Sequence, residues 1–162
     1  KLNHFLVEFN IGTAYGLSGD TDKAIEHLEK ATVLEGNYPP LWLNLGKLYY
    51  QNRDFENAGQ ALEKGFTISS AKSPDILFMA MAAYYQAENH SKAIELGKSL
   101  VFTFGKDSFE IVSLLANSYI VSENYGGAVD MLNRLLENNP SDHQVWKLLT
   151  QSYFKNLSLI HI

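Results

Sequence analysis

Apolar positions along the chain keep a long phase. Tyrosine recurs at Tyr15, Tyr49, Tyr84, Tyr119 and Tyr153, in steps of 34, 35, 35 and 34 residues. Alanine recurs at Ala24, Ala58, Ala93 and Ala128, nine residues after the tyrosine each time. A generic bundle would show the 3.6-residue helical period without a reason for this longer one. The pattern predicts a repeated unit of two antiparallel helices: helix A carrying the tyrosine, a short turn, and helix B carrying the alanine. One such hairpin cannot bury its apolar face alone, so units stack and share a core.

The boundaries follow from turn and cap chemistry. Pro39-Pro40 suits the first turn of the second helix A, and Ser73-Pro74-Asp75 opens the third with Ser73 as N-cap. Asp107-Ser108 does the same for the fourth. Gly36 and Gly105 are expected to stop B helices. The A–B turns are expected at Ser18-Gly19-Asp20, Asn52-Arg53-Asp54, Glu88-Asn89-His90 and Glu123-Asn124-Tyr125. The second and third units hold one extra residue, placed around Ser69–Lys72 and Thr103–Lys106. Gly12 and Gly46 are expected where helices A and B press together, with the phase alanines opposite. The tyrosines should fill the wider gaps between hairpins.

The second unit reads Trp42-x-x-Leu45-Gly46-x-x-Tyr49, then Ala58 and Leu62. The first has Ile11-Gly12-x-x-Tyr15, then Ala24 and Leu28; the fourth ends with Pro140 at the inter-repeat position. This resembles the tetratricopeptide repeat, from about Phe5 to Tyr153. The resemblance implies an all-α chain, an α-solenoid (right-handed superhelix) of about four and a half hairpins and nine helices. The units fall at 5–38, 39–72, 74–108, 109–142 and a partial 143–155 within a domain 1–155, followed by a tail 156–162. A closing helix B is missing from the fifth unit, and Leu157, Leu159 and Ile160 are a self-association hazard. The chain has no initiator methionine, and whether it is part of a longer protein stays open.

Charge narrows the partner. A net charge of −5, without a run of basic residues, argues against nucleic acid, whose phosphates need surplus Lys and Arg. No stretch reaches the roughly 20 apolar residues that insert into a bilayer. There is no cysteine, so thiolate metal sites and disulfides are excluded. His4, His27, His90, His143 and His161 are scattered and form no H-E-x-x-H pair. No glycine-rich phosphate loop or G-x-S-x-G elbow is present. The chain therefore reads as a non-enzyme without cofactor or metal. Glu26/Glu29 and Glu56/Glu63 read as solvated faces of helix B. Short YG, EN and NH turns are of a bacterial style; the compartment stays open between cytoplasm and envelope.

In the family, the concave surface lined by A helices takes peptides. The resemblance places a partner protein or peptide against Phe9, Leu43, Lys47, Tyr50, Phe78, Tyr85, Asn117 and Lys147. Thr13, Leu17, Gln51, Ile120, Gln151 and Phe154 are further lining positions. Tyr50 and Tyr85 each directly follow a phase tyrosine, so they should point to another face. The family's clamp for a chaperone's terminal carboxylate is matched only at Asn44, which argues against that ligand. The alternative role is a structural segment that self-associates or assembles a complex through its ends.

Overall fold

The computed structural model describes residues 2–160. Among them the chain forms nine α-helices: α1 Leu2–Ser18, α2 Thr21–Leu34, α3 Pro39–Gln51, α4 Phe55–Ile68, α5 Pro74–Gln86, α6 His90–Lys98, α7 Phe109–Val121, α8 Tyr125–Asn138 and α9 His143–Ile160. A π-helical turn, Ser99–Thr103, prolongs α6. No strand forms among the described residues. Two compact units result, divided between Ala87 and Glu88.

In the first unit α1 packs on α2, α3 on α4, and α4 on α5. The buried cluster combines Phe5, Ala24, Leu28, Ala31, Leu41, Leu45, Leu48 and Ala61. On α4 the buried residues Ala58, Ala61, Leu62 and Gly65 follow the i, i+3, i+4, i+7 spacing of one helical face. In the second unit α6 packs on α7, α7 on α8 and α8 on α9. Val112, Leu115, Ala116, Ala128, Leu132 and Leu149 are buried there.

The small residues sit where the phase required them. Ala24, Ala58, Ala93 and Ala128 are all fully buried. A Cβ added to Gly46 would lie 2.5 Å from Leu62 Cγ, and one on Gly12 2.7 Å from Leu28 Cγ. These helices therefore touch backbone to side chain, with no room for a methyl group.

Each A–B turn closes in the same way. Gly19, Arg53, Glu88 and Glu123 take positive φ values of 86°, 62°, 60° and 58°. The next residue, Asp20, Asp54, Asn89 or Asn124, is the N-cap of the B helix. Its side chain accepts the backbone N–H of Lys23, Asn57, Lys92 or Gly127. In three turns the cap's own N–H returns to the phase tyrosine carbonyl: Asp20 to Tyr15 at 3.0 Å, Asp54 to Tyr49 at 2.9 Å and Asn124 to Tyr119 at 2.8 Å.

The starts of the A helices differ from expectation in one respect. Ser73 and Ser108 stand at the N-cap with extended backbone, but neither side chain makes a capping hydrogen bond. The prolines at the first turns of α3 and α5 remove donors that would otherwise need a cap. Gly105 stops its helix with φ +62°, and Lys106 N–H reaches back to Leu100 O at 2.9 Å. Gly36 does not act this way: α2 ends in extended Glu35 at φ −150°. Gly36 instead offers its carbonyl to Trp42 Nε1 at 2.8 Å. Trp146 Nε1 repeats the bond to Pro140 O at 2.8 Å.

The extra residues lie where placed: 69–73 and 104–108 separate successive repeats, against 35–38 and 139–142. The π-helical turn was not expected. α9 continues through the tail to Ile160, with Leu157 exposed; the side chains of Leu159 and Ile160, and residues 161–162, lie outside the described set.

Candidate partner-binding site

The tyrosine phase sorts two neighbouring side chains onto different faces. Tyr49 Oη donates to Glu29, and Tyr84 Oη to Glu63 at 2.8 Å. Glu29 and Glu63 are one repeat apart, so α2 and α4 each present a carboxylate to the tyrosine of the following A helix. The sequence alone reads both as solvated. Burial, then the Glu29 hydrogen bond and charge, push the Tyr49 phenol well above its usual range. Tyr50 turns elsewhere: its ring meets Phe55 edge-on at 5.1 Å and is 39% exposed.

The other apolar candidates of the first unit are half-buried. Phe9 stacks on Phe5 at 5.9 Å and meets Tyr38 edge-on at 5.3 Å. Leu43 lies over Gly65, its Cδ2 3.0 Å from where a Cβ would stand. Phe78 and Tyr85 on α5 are likewise half-buried. Lys47 is exposed.

α1 and α3 enclose a recess of about 160 Å³, lined by Gly12, Thr13, Gly16, Leu17, Leu28, Asn44, Lys47, Leu48 and Gln51. Thr13 Oγ1 donates to Phe9 O at 2.8 Å, and Asn44 Nδ2 reaches Thr13 Oγ1 at 3.5 Å. Leu17 at its rim is 87% exposed. His27 Nδ1 and Glu8 Oε2 pair at 2.7 Å and hold α1 to α2.

In the second unit Asn117 is half-buried on α7 and Lys147 exposed on α9. Neither lines a hollow there of about 480 Å³, whose walls include Ile120, Tyr125, Leu148, Gln151, Phe154 and Lys155. Ile120, Gln151 and Phe154 were legible from the A-helix phase. Tyr125 was not, because it opens a B helix. Among the described residues no three metal-ligating side chains gather, and no helix is long and apolar enough to cross a membrane.

Comparison with known proteins bears on the repeat itself. A TPR-repeat model matches residues 12–52 and a tetratricopeptide-repeat model residues 39–72. Subunit NrfFG of the formate-dependent nitrite reductase complex of Haemophilus influenzae is 29% identical over 119 residues, 72% of this chain. The chain spans 31% of that relative's length. Among solved structures, MamA superposes with a TM-score of 0.72 at 17% identity, over 96% of this chain and 84% of MamA. YrrB, described as a TPR protein with an unusual peptide-binding site, gives 0.70 at 13% identity, over 92% of this chain and 76% of its own. The helices obey the phase, two repeat models match residues 12–72, and solved repeat proteins share the fold: the chain carries tetratricopeptide repeats, of a family that is generally a non-catalytic scaffold for protein interaction.

Proposed function

We propose that this chain binds a segment of a partner protein along its A helices, with Phe9, Leu43, Lys47, Tyr50, Phe78 and Tyr85 as the contact positions of the first unit. Asn117 and Lys147 are those of the second. The observation that carries the reading is the recess between α1 and α3, where an exposed leucine, an exposed lysine and side-chain amides share one opening. Apolar area with a few fixed polar groups suits a peptide. Aromatic side chains supply most of the contact energy at little entropic cost. YrrB, of the same fold, is itself described as having a peptide-binding site, which is in keeping with this role.

The test is the double variant Tyr50→Ala, Tyr85→Ala, compared with the parent in a pull-down from the native host. Tyr49 and Tyr84, which hold the seams, are left in place. The variant should stay helical by circular dichroism and lose about 2 kcal/mol or more of partner affinity. A folded variant that retains parental binding would move the site elsewhere.

A second reading, assembly through the ends, draws on α1. Val7 and Ile11 are 53% and 37% exposed, whereas Leu41 and Leu45, one repeat on, are 0% and 1% exposed. The same face is thus covered in the second repeat and open in the first. Light scattering during size exclusion tests it: oligomers that grow with concentration and vanish in Val7→Lys, Ile11→Lys would support end-on mating. A monomer at all concentrations would remove it.

A further inference from the structure

We propose that the recess between α1 and α3 is a pocket for one acidic side chain of the bound segment, with Lys47 as its counter-ion; this rests on the partner-binding reading above. The first argument is why the recess exists. The residue after the phase tyrosine is Tyr50, Tyr85, Ile120 and Phe154 in the later repeats but Gly16 in the first. Gly12 is forced by packing, since its Cβ would stand 2.7 Å from Leu28. Gly16 is not forced. A Cβ there would meet Leu48 Cδ2 at 3.4 Å and Ala24 Cβ at 3.7 Å, which is ordinary contact, and its φ is not positive. Glycine inside a helix costs about 1 kcal/mol relative to alanine, and the packing gains nothing in exchange. What the glycine leaves is the open space, about 160 Å³. An engineered cavity of ~150 Å³ holds one benzene, so the recess has room for one side chain.

The second argument is the chemistry of the lining. Lys47 is its one charged residue, and no carboxylate lines it. Lys23, Lys30 and Lys92 sit on Asp20, Glu26 and Glu95 at 2.7, 2.6 and 3.2 Å. Lys47 has no such partner among the described residues. Thr13 spends its proton on Phe9 O, so its oxygen accepts from Asn44. That leaves the second Asn44 N–H, the Gln51 amide and the Lys47 ammonium as donors. This donor-rich set fits an anion, and charge-assisted bonds are the stronger kind. On a chain of net charge −5, one unpaired cation in a pocket fixes the register of an acidic residue more than it adds raw affinity.

The experiment uses the whole chain and two short peptides of Leu and Ser, acetylated and amidated to remove terminal charges. One carries a central Glu, the other a Gln. In amide NMR titrations the Glu peptide should shift Gly12, Gly16 and the side-chain amides of Asn44 and Gln51. It should bind about tenfold more tightly than the Gln peptide, as loss of a charged hydrogen bond implies. The preference should vanish in Lys47→Gln, persist in Lys47→Arg, weaken with salt, and disappear when Gly16→Leu fills the space. Equal binding of the two peptides to the parent, or a preference that survives Lys47→Gln, would overturn the pocket. Shifts confined to the α3 and α5 aromatics without a Glu preference would overturn the pocket and leave the binding face standing. No shift on any A helix with either peptide would count against both.

Discussion

The same substitution, glycine to alanine, should have opposite signs at two positions of this chain. Alanine is favoured over glycine in a helix by about 1 kcal/mol, and at Gly16 nothing offsets that gain. The new Cβ would make contacts of 3.4–3.8 Å with Leu48 and Ala24, so Gly16→Ala should stabilise by about 0.5–1 kcal/mol. At Gly46 the new Cβ would stand 2.5 Å from Leu62 Cγ, 2.9 Å from Cδ2 and 3.2 Å from the Leu62 backbone nitrogen. The obstacle is a branch carbon and a main-chain atom, neither of which swings aside, so α3 and α4 must separate. Overpacking of this kind costs roughly 1–3 kcal/mol, and after the propensity gain Gly46→Ala should destabilise by about 1–2 kcal/mol. Gly46→Leu should lose more, about 2–4 kcal/mol. Urea unfolding followed by far-ultraviolet circular dichroism reads both. A Gly46→Ala midpoint at or above that of Gly16→Ala would refute the assignment of the tight A–B contact to Gly46.

Asp54→Ala removes the side chain that accepts Asn57 N–H and should lower stability by about 1 kcal/mol. Ser73→Ala, at a cap position without a cap bond, should leave the urea midpoint unchanged. Tyr49→Phe loses the bond to Glu29, worth about 1 kcal/mol, and should also flatten the alkaline arm of the stability profile. Because the Tyr49 phenol is raised above 10.0 by burial and by Glu29, its contribution is complete below pH 10. It is lost as pH rises from there toward the folded-state value. A parent and variant with identical stability slopes above pH 10 would show that the bond is absent in solution.

Much of the architecture could be read because its cause is periodic. Gly46 against Leu62 and the buried phase alanines follow from small residues recurring at fixed offsets, as does the placing of Tyr49 and Tyr50 on different faces. Features that depend on a single geometry were not visible. An exposed glutamate on a helix is ordinarily solvated, so Glu29 and Glu63 were set aside. The signal that could have found them is their 34-residue separation, the same phase as Tyr49 and its neighbour in the first repeat. Arg53, Glu88 and Glu123 hold left-handed backbone without being glycine or asparagine, against the usual turn preference. The cap residue that follows each of them fixes the turn. Thr13, Leu17, Lys47 and Gln51, which line the recess between α1 and α3, follow from the A-helix phase, but the recess itself does not, because it is made by the side chain that Gly16 lacks.

The A–B turn has a consequence for how such a chain can grow. In α1–α2, α3–α4 and α7–α8 the closure uses only residues of the hairpin itself: the tyrosine carbonyl, the left-handed residue and the Asp or Asn that follows. A duplicated block therefore carries its own closure wherever it is pasted. It does not carry its junction. The block beginning at Pro39 needs Glu29 from the block before it, and the later blocks offer Lys98 and Asn133 at that phase. Tyr153 accordingly meets Asn133, whose Nδ2 reaches its Oη at 3.5 Å. Shuffling would leave each turn closed, but a Pro39 block set behind the third or fourth would meet Lys98 or Asn133 in place of a carboxylate, so the order of the blocks is written in the junctions while the turns are indifferent to it.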